Sequence, residues 1–168
     1  MNAHELPVVL FLDFDGVLHH FFPIADSSDA GNQHFAFLPN FEQAVRACQR
    51  DVEIVISSTW RKLYPLDQIK QHFSPDIAEK IIGVTPVLDL GNARGSRQIE
   101  VEAWLKDNRP HSQWVGIDDM PDLYEKNVAV VACADQFCER EHERLVEAVA
   151  DPVAYTEKYP HGRGGLRM

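Results

Sequence analysis

The chain has 168 residues, 45% of them hydrophobic, and 16 Lys and Arg against 26 Asp and Glu give a formal charge of −10. The apolar share excludes a disordered chain, and the lack of any run of about 18 apolar residues excludes a membrane-spanning helix. The acidic balance disfavours non-specific binding to nucleic acid or to an anionic membrane, which draws on clustered Lys and Arg, and leaves such partners only a local basic site.

Pro7 to Leu12 is a continuous apolar run rich in β-branched and aromatic residues, which predicts a strand buried on both faces. Residues 17–38, with Pro23, Gly31 and the polar stretch Asp26 to Asp29, predict a loop or short flap. Asn40 is placed to cap a helix whose inner side is Phe41, Ala44, Val45 and Cys48. A second strand spans Val52 to Ile56 and closes on Ser57, Ser58, Thr59 and Trp60. Pro65 to Phe73 and Ser74 to Lys80 predict two short helices, and Ile81 to Val84 a short strand. A loop marked by Pro86 and Gly91 leads to a helix from about Ser96, with Val101, Trp104 and Leu105 on one face, stopping before Pro110. Two further strands are expected at Trp114 to Ile117 and Val128 to Ala132. A last helix follows from about Asp135 to Ala150, with Phe137, Cys138, Leu145, Val146 and Val149 inward.

Strands alternating with helices imply parallel βαβ units in an α/β fold: a three-layer, doubly wound, Rossmann-like parallel sheet. One domain over residues 1–159 and a flexible tail over 160–168 are expected. Cys48, Cys133 and Cys138 lack metal-ligand spacing, and the opening Met1 to Glu5 lacks the basic stretch of a signal peptide, so a reducing, cytoplasmic setting is expected. In such a sheet, ligands bind beyond the carboxyl ends of the strands. Three strands end there in polar residues of catalytic type: Asp13 and Asp15, Ser57 and Ser58, Asp118 and Asp119.

Carboxylates converging in a small volume repel one another unless protons or a divalent cation offset their charge. A hard, oxygen-rich site suits Mg²⁺ better than Zn²⁺. Serine hydroxyls and Arg97 would add donors for an anionic substrate, which is a phosphoryl-handling site in outline. Less specific roles exist for each residue. Ser57 and Ser58 could cap the following turn, and Arg97 could pair with Glu100 or Glu102. Trp60 and Trp104 are expected in packing and Cys133 and Cys138 as buried thiols, while His19 and His20, close after the first of these acids, either line the pocket or, the preferred reading, lie in solvent. Arg61, Lys62 and Arg94 form either a basic rim for a polyanion or a solvated face.

Leu12-Asp13-Phe14-Asp15-Gly16-Val17-Leu18 resembles the first motif of the haloacid dehalogenase (HAD) superfamily, mostly Mg²⁺-dependent phosphatases. The resemblance implies that Asp13 is the nucleophile, forming an aspartyl phosphate, and that Asp15 is the acid and base. It implies a phosphate-binding hydroxyl at Ser58 or Ser57 and a third-motif cation at Arg97, with Arg94 as the rival. It implies a metal held by Asp13, by Asp15 through its main-chain carbonyl, and by Asp118 first and Asp119 second; Asp122 also fits the acidic spacing. Crowding by the other carboxylates is expected to raise the pKa of Asp15. More narrowly, the Asp15 to Leu18 segment, Ser57 to Arg61 and the helix from Arg97 to Leu105 resemble a small HAD group, found alone and as a module of multidomain RNA-repair proteins. The insertions are too short for a cap domain, so an essentially capless site with a short flap is expected. A Mg²⁺-dependent phosphohydrolase leads, ahead of a nucleic-acid end-processing phosphatase or phosphotransferase and a non-catalytic binding module. The expected partner is a phosphorylated small molecule or macromolecular end.

Overall fold

In the computed structural model, which describes residues 2–22 and 33–161, five strands form one sheet: β1 Val8–Leu12, β2 Val52–Ile56, β3 Ile81–Val84, β4 Trp114–Asp118 and β5 Val130–Ala132. All neighbours pair in parallel, in the order β3-β2-β1-β4-β5. The helices are α1 Leu38–Ala47, α2 Leu66–Lys70, α3 Pro75–Ala78, α4 Ser96–Asn108, α5 Glu139–Ala150 and α6 Pro152–Lys158. Among the described residues, none of these helices is long and apolar enough to cross a membrane.

β1 lies at the centre, and each of its five side chains is fully buried. Val8, Leu10 and Leu12 pack with Phe41, Ala44 and Val45 of α1 and Leu145, Ala148 and Val149 of α5. Val9 and Phe11 face the other way, onto Val101, Trp104 and Leu105 of α4. Alternating side chains thus feed two apolar layers, the arrangement a continuous apolar strand requires. Burying each such side chain is worth about 1.5–3 kcal/mol, so the central strand fixes the sandwich. The expected three-layer α/β architecture is the one observed, and the chain between Ser57 and Arg97 holds only a turn, α2, α3, β3 and a loop.

Several local expectations differ. Asn40 is not a cap: α1 begins at Leu38 with Pro39 in its first turn, and the Asn40 amide donates instead to the Phe137 carbonyl. The last long helix starts at Glu139 because Asp135 adopts φ 69°, and Glu141 closes a capping box on the Cys138 amide. α6 was not expected, although Asp151 accepts the Ala154 amide at 3.0 Å and Pro152 opens the helix, a start signal visible in the sequence. The expected tail is docked at its beginning, where buried His161 bonds the Val128 carbonyl at 2.8 Å. Residues 162–168 of that tail, and Pro23, Asp26 to Asp29 and Gly31 of the expected flap, lie outside the described residues.

Candidate active site

The order of strands reverses at β1, whose chain neighbours lie to one side while β4 lies on the other. The crevice beyond the carboxyl ends of β1 and β4 is therefore the switch point. Leu12 pairs with Ile117 and with Ile56, and the Asp13 amide donates to the Ile117 carbonyl at 3.0 Å. This register sets Asp13 beside Asp118 on one flank and Ser57 on the other.

Asp13, Asp118 and Asp119 each offer one carboxylate oxygen, and the three oxygens lie within 4.8 Å of one another. Asp13 and Asp118 are buried and Asp119 is partly exposed. Gly16, at φ 77°, lets the loop pass so close that a Cβ there would collide with the Asp119 carboxylate. Arg97 enters from the first turn of α4, its Nη1 2.8 Å from Asp118 Oδ2 and 3.5 Å from Asp13 Oδ1. Asp118 Oδ2 also accepts the Tyr124 hydroxyl at 3.2 Å, and Oδ1 accepts the Met120 amide at 3.0 Å.

Burial, and then the charge of Asp118, push the Asp13 carboxyl well above its ordinary range, with Arg97 acting in the opposite direction. Burial foremost also lifts Asp119 to about 6. Burial works against the Arg97 charge, but Asp118 and Asp13 more than offset it and hold the guanidinium ionised. With all three acids ionised, one guanidinium would leave an excess of negative charge. A hard divalent cation with oxygen ligands fits that donor set.

The Asp15 carboxylate does not join this group. Its Oδ1 accepts the His19 Nε2–H at 2.8 Å and the Trp60 indole N–H at 3.3 Å. The hydrogen bond from His19, reinforced by Trp60 against partial burial, holds the Asp15 pKa below its ordinary value. The expected rise is thus overturned, because Asp15 faces N–H donors and not its fellow acids. As a metal ligand, Asp15 is left with its main-chain carbonyl, the role the resemblance implies. Of the two places weighed for His19, solvent was preferred to the pocket, and the structure buries it fully beside Asp15. Trp60 was expected in packing; it does pack on Phe14, but it also turns its N–H onto Asp15. Neither position carried a signal in the sequence beyond closeness to the first motif. Trp104 is core, against Phe11. Of the two thiols expected inside, Cys133 is buried and Cys138 only partly so.

Ser57 and Ser58 are both buried at the end of β2. Ser58 caps the turn Thr59–Lys62, its Oγ accepting the Trp60 amide at 3.3 Å. Among the described residues, the buried Ser57 Oγ has no hydrogen-bond partner. Ser57 also stands next to Asp13 in the sheet, so the geometry favours Ser57 over Ser58 as a donor toward a ligand oxygen. Arg97 reaches the carboxylates, whereas Arg94 is exposed and its charge bears on His161. Arg61 departs furthest from expectation. Its side chain is only 4% exposed and is committed to protein partners, not to solvent. It donates to the carbonyls of Ser57, Ser58, Thr85 and Pro86 and to Glu100 at 2.6 Å. Asp122 is exposed on the turn after β4, outside the carboxylate group.

Beside the carboxylates opens a cleft of about 340 Å³, lined by Thr59, Lys62, Asp89, Asn92, Arg97 and Glu100. Around Asp15 the neighbouring side chains form an aromatic cluster: Trp60 lies 5.6 Å from His19, 5.5 Å from His34, 5.2 Å from Phe35 and 5.2 Å from Tyr64, centroid to centroid.

A family model described as the HAD domain in Swiss Army Knife RNA repair proteins matches residues 9–142. No curated protein and no solved structure shows significant similarity to the chain. The matched stretch runs from β1 into α5 and contains Asp13, Asp15, Ser57, Arg97, Asp118 and Asp119. With this match and a five-stranded, all-parallel sheet, the chain belongs to the haloacid dehalogenase superfamily, in the family of HAD domains of RNA repair proteins.

Proposed function

We propose that the protein is a Mg²⁺-dependent phosphomonoesterase working through an aspartyl phosphate on Asp13. The observation that carries this reading is the group Asp13, Asp118 and Asp119, converging at the switch point with Arg97 beside it. These three side chains, with the main-chain carbonyl of Asp15, would hold Mg²⁺, which supplies charge neutralisation for the carboxylates and the phosphoryl oxygens. Asp13 attacks phosphorus as a carboxylate, with the bound cation offsetting the burial that raises its pKa, and needs no general base for that step. Ser57 and Arg97 bind the remaining phosphoryl oxygens. Asp15 protonates the leaving oxygen and then takes a proton from the attacking water. The arriving phosphate dianion supplies the charge that disfavours ionised Asp15, a shift the neighbouring acids do not provide.

Release of phosphate from a panel of monoesters, with Mg²⁺ or with chelator and alongside Asp13→Asn, tests the proposal. Metal-dependent turnover that vanishes in the variant is expected. Equal activity in the two proteins overturns the aspartyl-phosphate route.

A second reading, an enzyme that processes phosphorylated nucleic-acid ends, is favoured by the aromatic cluster at Asp15. A leaving group protonated by Asp15 would meet Trp60, which bonds Asp15 and packs against Tyr64 and His34, and base-aromatic stacking is worth about 1–3 kcal/mol per base. Here Tyr64→Ala is expected to lower turnover of a phosphorylated oligonucleotide at least tenfold more than that of an aliphatic phosphate. An equal effect on both removes this reading.

A further inference from the structure

We infer that His19 is a positioning residue that pins one oxygen of Asp15 and leaves the other to carry the proton to the leaving group. The inference rests on the phosphatase reading for the proton's destination, and on hydrogen-bond geometry alone for the pinning.

The imidazole of His19 is fully buried and bonded through both ring nitrogens. The Phe35 amide points at Nδ1 from 3.2 Å. A backbone N–H can only donate, so Nδ1 accepts and carries no proton. The ring proton is therefore on Nε2, which donates to Asp15 Oδ1 at 2.8 Å. Trp60 Nε1, which also can only donate, bonds the same oxygen. Both N–H donors thus converge on Oδ1, and no other side-chain hydrogen bond to Asp15 competes for Oδ2 among the described residues.

The support for this tautomer is itself fixed. Phe35 adopts φ 60°, a left-handed conformation rare for an aromatic residue, and its ring stacks on His72 at 4.2 Å. The His19 carbonyl accepts the Gly16 amide at 2.9 Å, which closes the turn that carries Asp15. The chain from Phe35 through His19 to Asp15 therefore joins the far end of the flap to the proposed acid. In the reaction, a bond forms between an Asp13 oxygen and phosphorus while the bond from phosphorus to the ester oxygen breaks. The electron pair of that bond goes to the ester oxygen, which takes the proton from Asp15 Oδ2, and Asp15 is left ionised. With Oδ1 saturated by two donors, the carboxyl has one orientation in which it can deliver that proton.

The test compares His19→Met, which fills similar volume without an N–H, with His19→Gln, whose amide N–H has similar reach. The readout is kcat/KM for an alkyl phosphate, whose leaving oxygen needs a proton, and for p-nitrophenyl phosphate, whose leaving group does not. In His19→Met the alkyl value is expected to fall at least tenfold further than the aryl value, and His19→Gln to restore much of the difference. Equal losses on the two esters, or none on either, overturn the positioning role. A wild type inactive on both esters overturns the phosphatase reading, and the ring tautomer then decides the pinning separately. Nitrogen-15 shifts of His19 in the wild type are expected to show an unprotonated Nδ1 and a protonated Nε2; the reverse tautomer or a doubly protonated ring overturns it.

Discussion

A methyl group added at Gly16 meets two obstacles at once: a backbone at φ 77°, and the carboxylate of Asp119 in the space the methyl needs. The left-handed backbone alone costs a non-glycine residue about 1–2 kcal/mol. In Gly16→Ala, urea unfolding is expected to show at least that loss, and Mg²⁺ to stabilise the variant less than the wild type, since Asp119 must retreat. Asp119 also has a signature of its own in pH. Its carboxyl titrates at about 6 in the folded protein against 3.8 when unperturbed, chiefly because it is buried. Between those values the folded state binds more protons than the unfolded one, so this group erodes stability as pH rises from about 4 to about 6. In metal-free protein, Asp119→Asn is expected to flatten the fall in Tm across that window. Parallel Tm profiles for the two proteins would show that Asp119 carries no such strain. At this scale the sequence exposed the acids and concealed their partners. Asp13, Asp118 and Asp119 stand at strand ends, where a parallel sheet must gather them. The bond from Trp60 to Asp15 joins residues 45 apart, and no periodicity encodes which way an indole turns.

Among the elements, the turn Thr59–Lys62 follows directly on the end of β2, and Arg61 holds it in place. Its guanidinium ties the end of β2 to the carbonyls that follow β3, and reaches Glu100 in α4. Removing one partner of a buried ion pair costs about 3–5 kcal/mol, because the other charge stays buried and unpaired. Arg61→Met is expected to lose stability on that scale in urea unfolding and to lose activity with it. The double variant Arg61→Met with Glu100→Gln is expected to be less destabilised than the sum of the single changes. Strict additivity would mean that the pair is not coupled. Among the described residues, apolar periodicity located every strand and five of the six helices, and it erred at their ends, where caps decide. Asn40 has the side chain of a cap, yet Pro39 already lies inside the helix. Asp151 and Pro152 together form a start signal, masked because the preceding helix ends only one residue before. Arg61 reads as a surface cation because its acceptors are main-chain carbonyls, which composition cannot reveal.

For the molecule as a whole, a formal charge of −10 is self-repulsive, and part of it is concentrated where Asp13, Asp118 and Asp119 meet. A ligand that binds only the folded chain stabilises it by mass action, by about 2.7 kcal/mol at a hundred times its Kd. For a protein of this size that is a rise in Tm of roughly 5–10 °C. Screening of surface charge by salt can also raise Tm, so the comparison is Mg²⁺ against NaCl at equal ionic strength. Mg²⁺ is expected to give the larger rise, and Asp118→Asn to remove the excess. The cation competes with protons for the same oxygens, so the Mg²⁺ excess is expected to be greater at pH 7.5 than at pH 5, below the value near 6 at which Asp119 ionises. If the excess is the same in Asp118→Asn, or no greater at pH 7.5, the ion is bound elsewhere on the acidic surface. The convergence of carboxylates at the switch point would then have to be balanced by protons alone, and the metal-dependent reading of the site would fall with it.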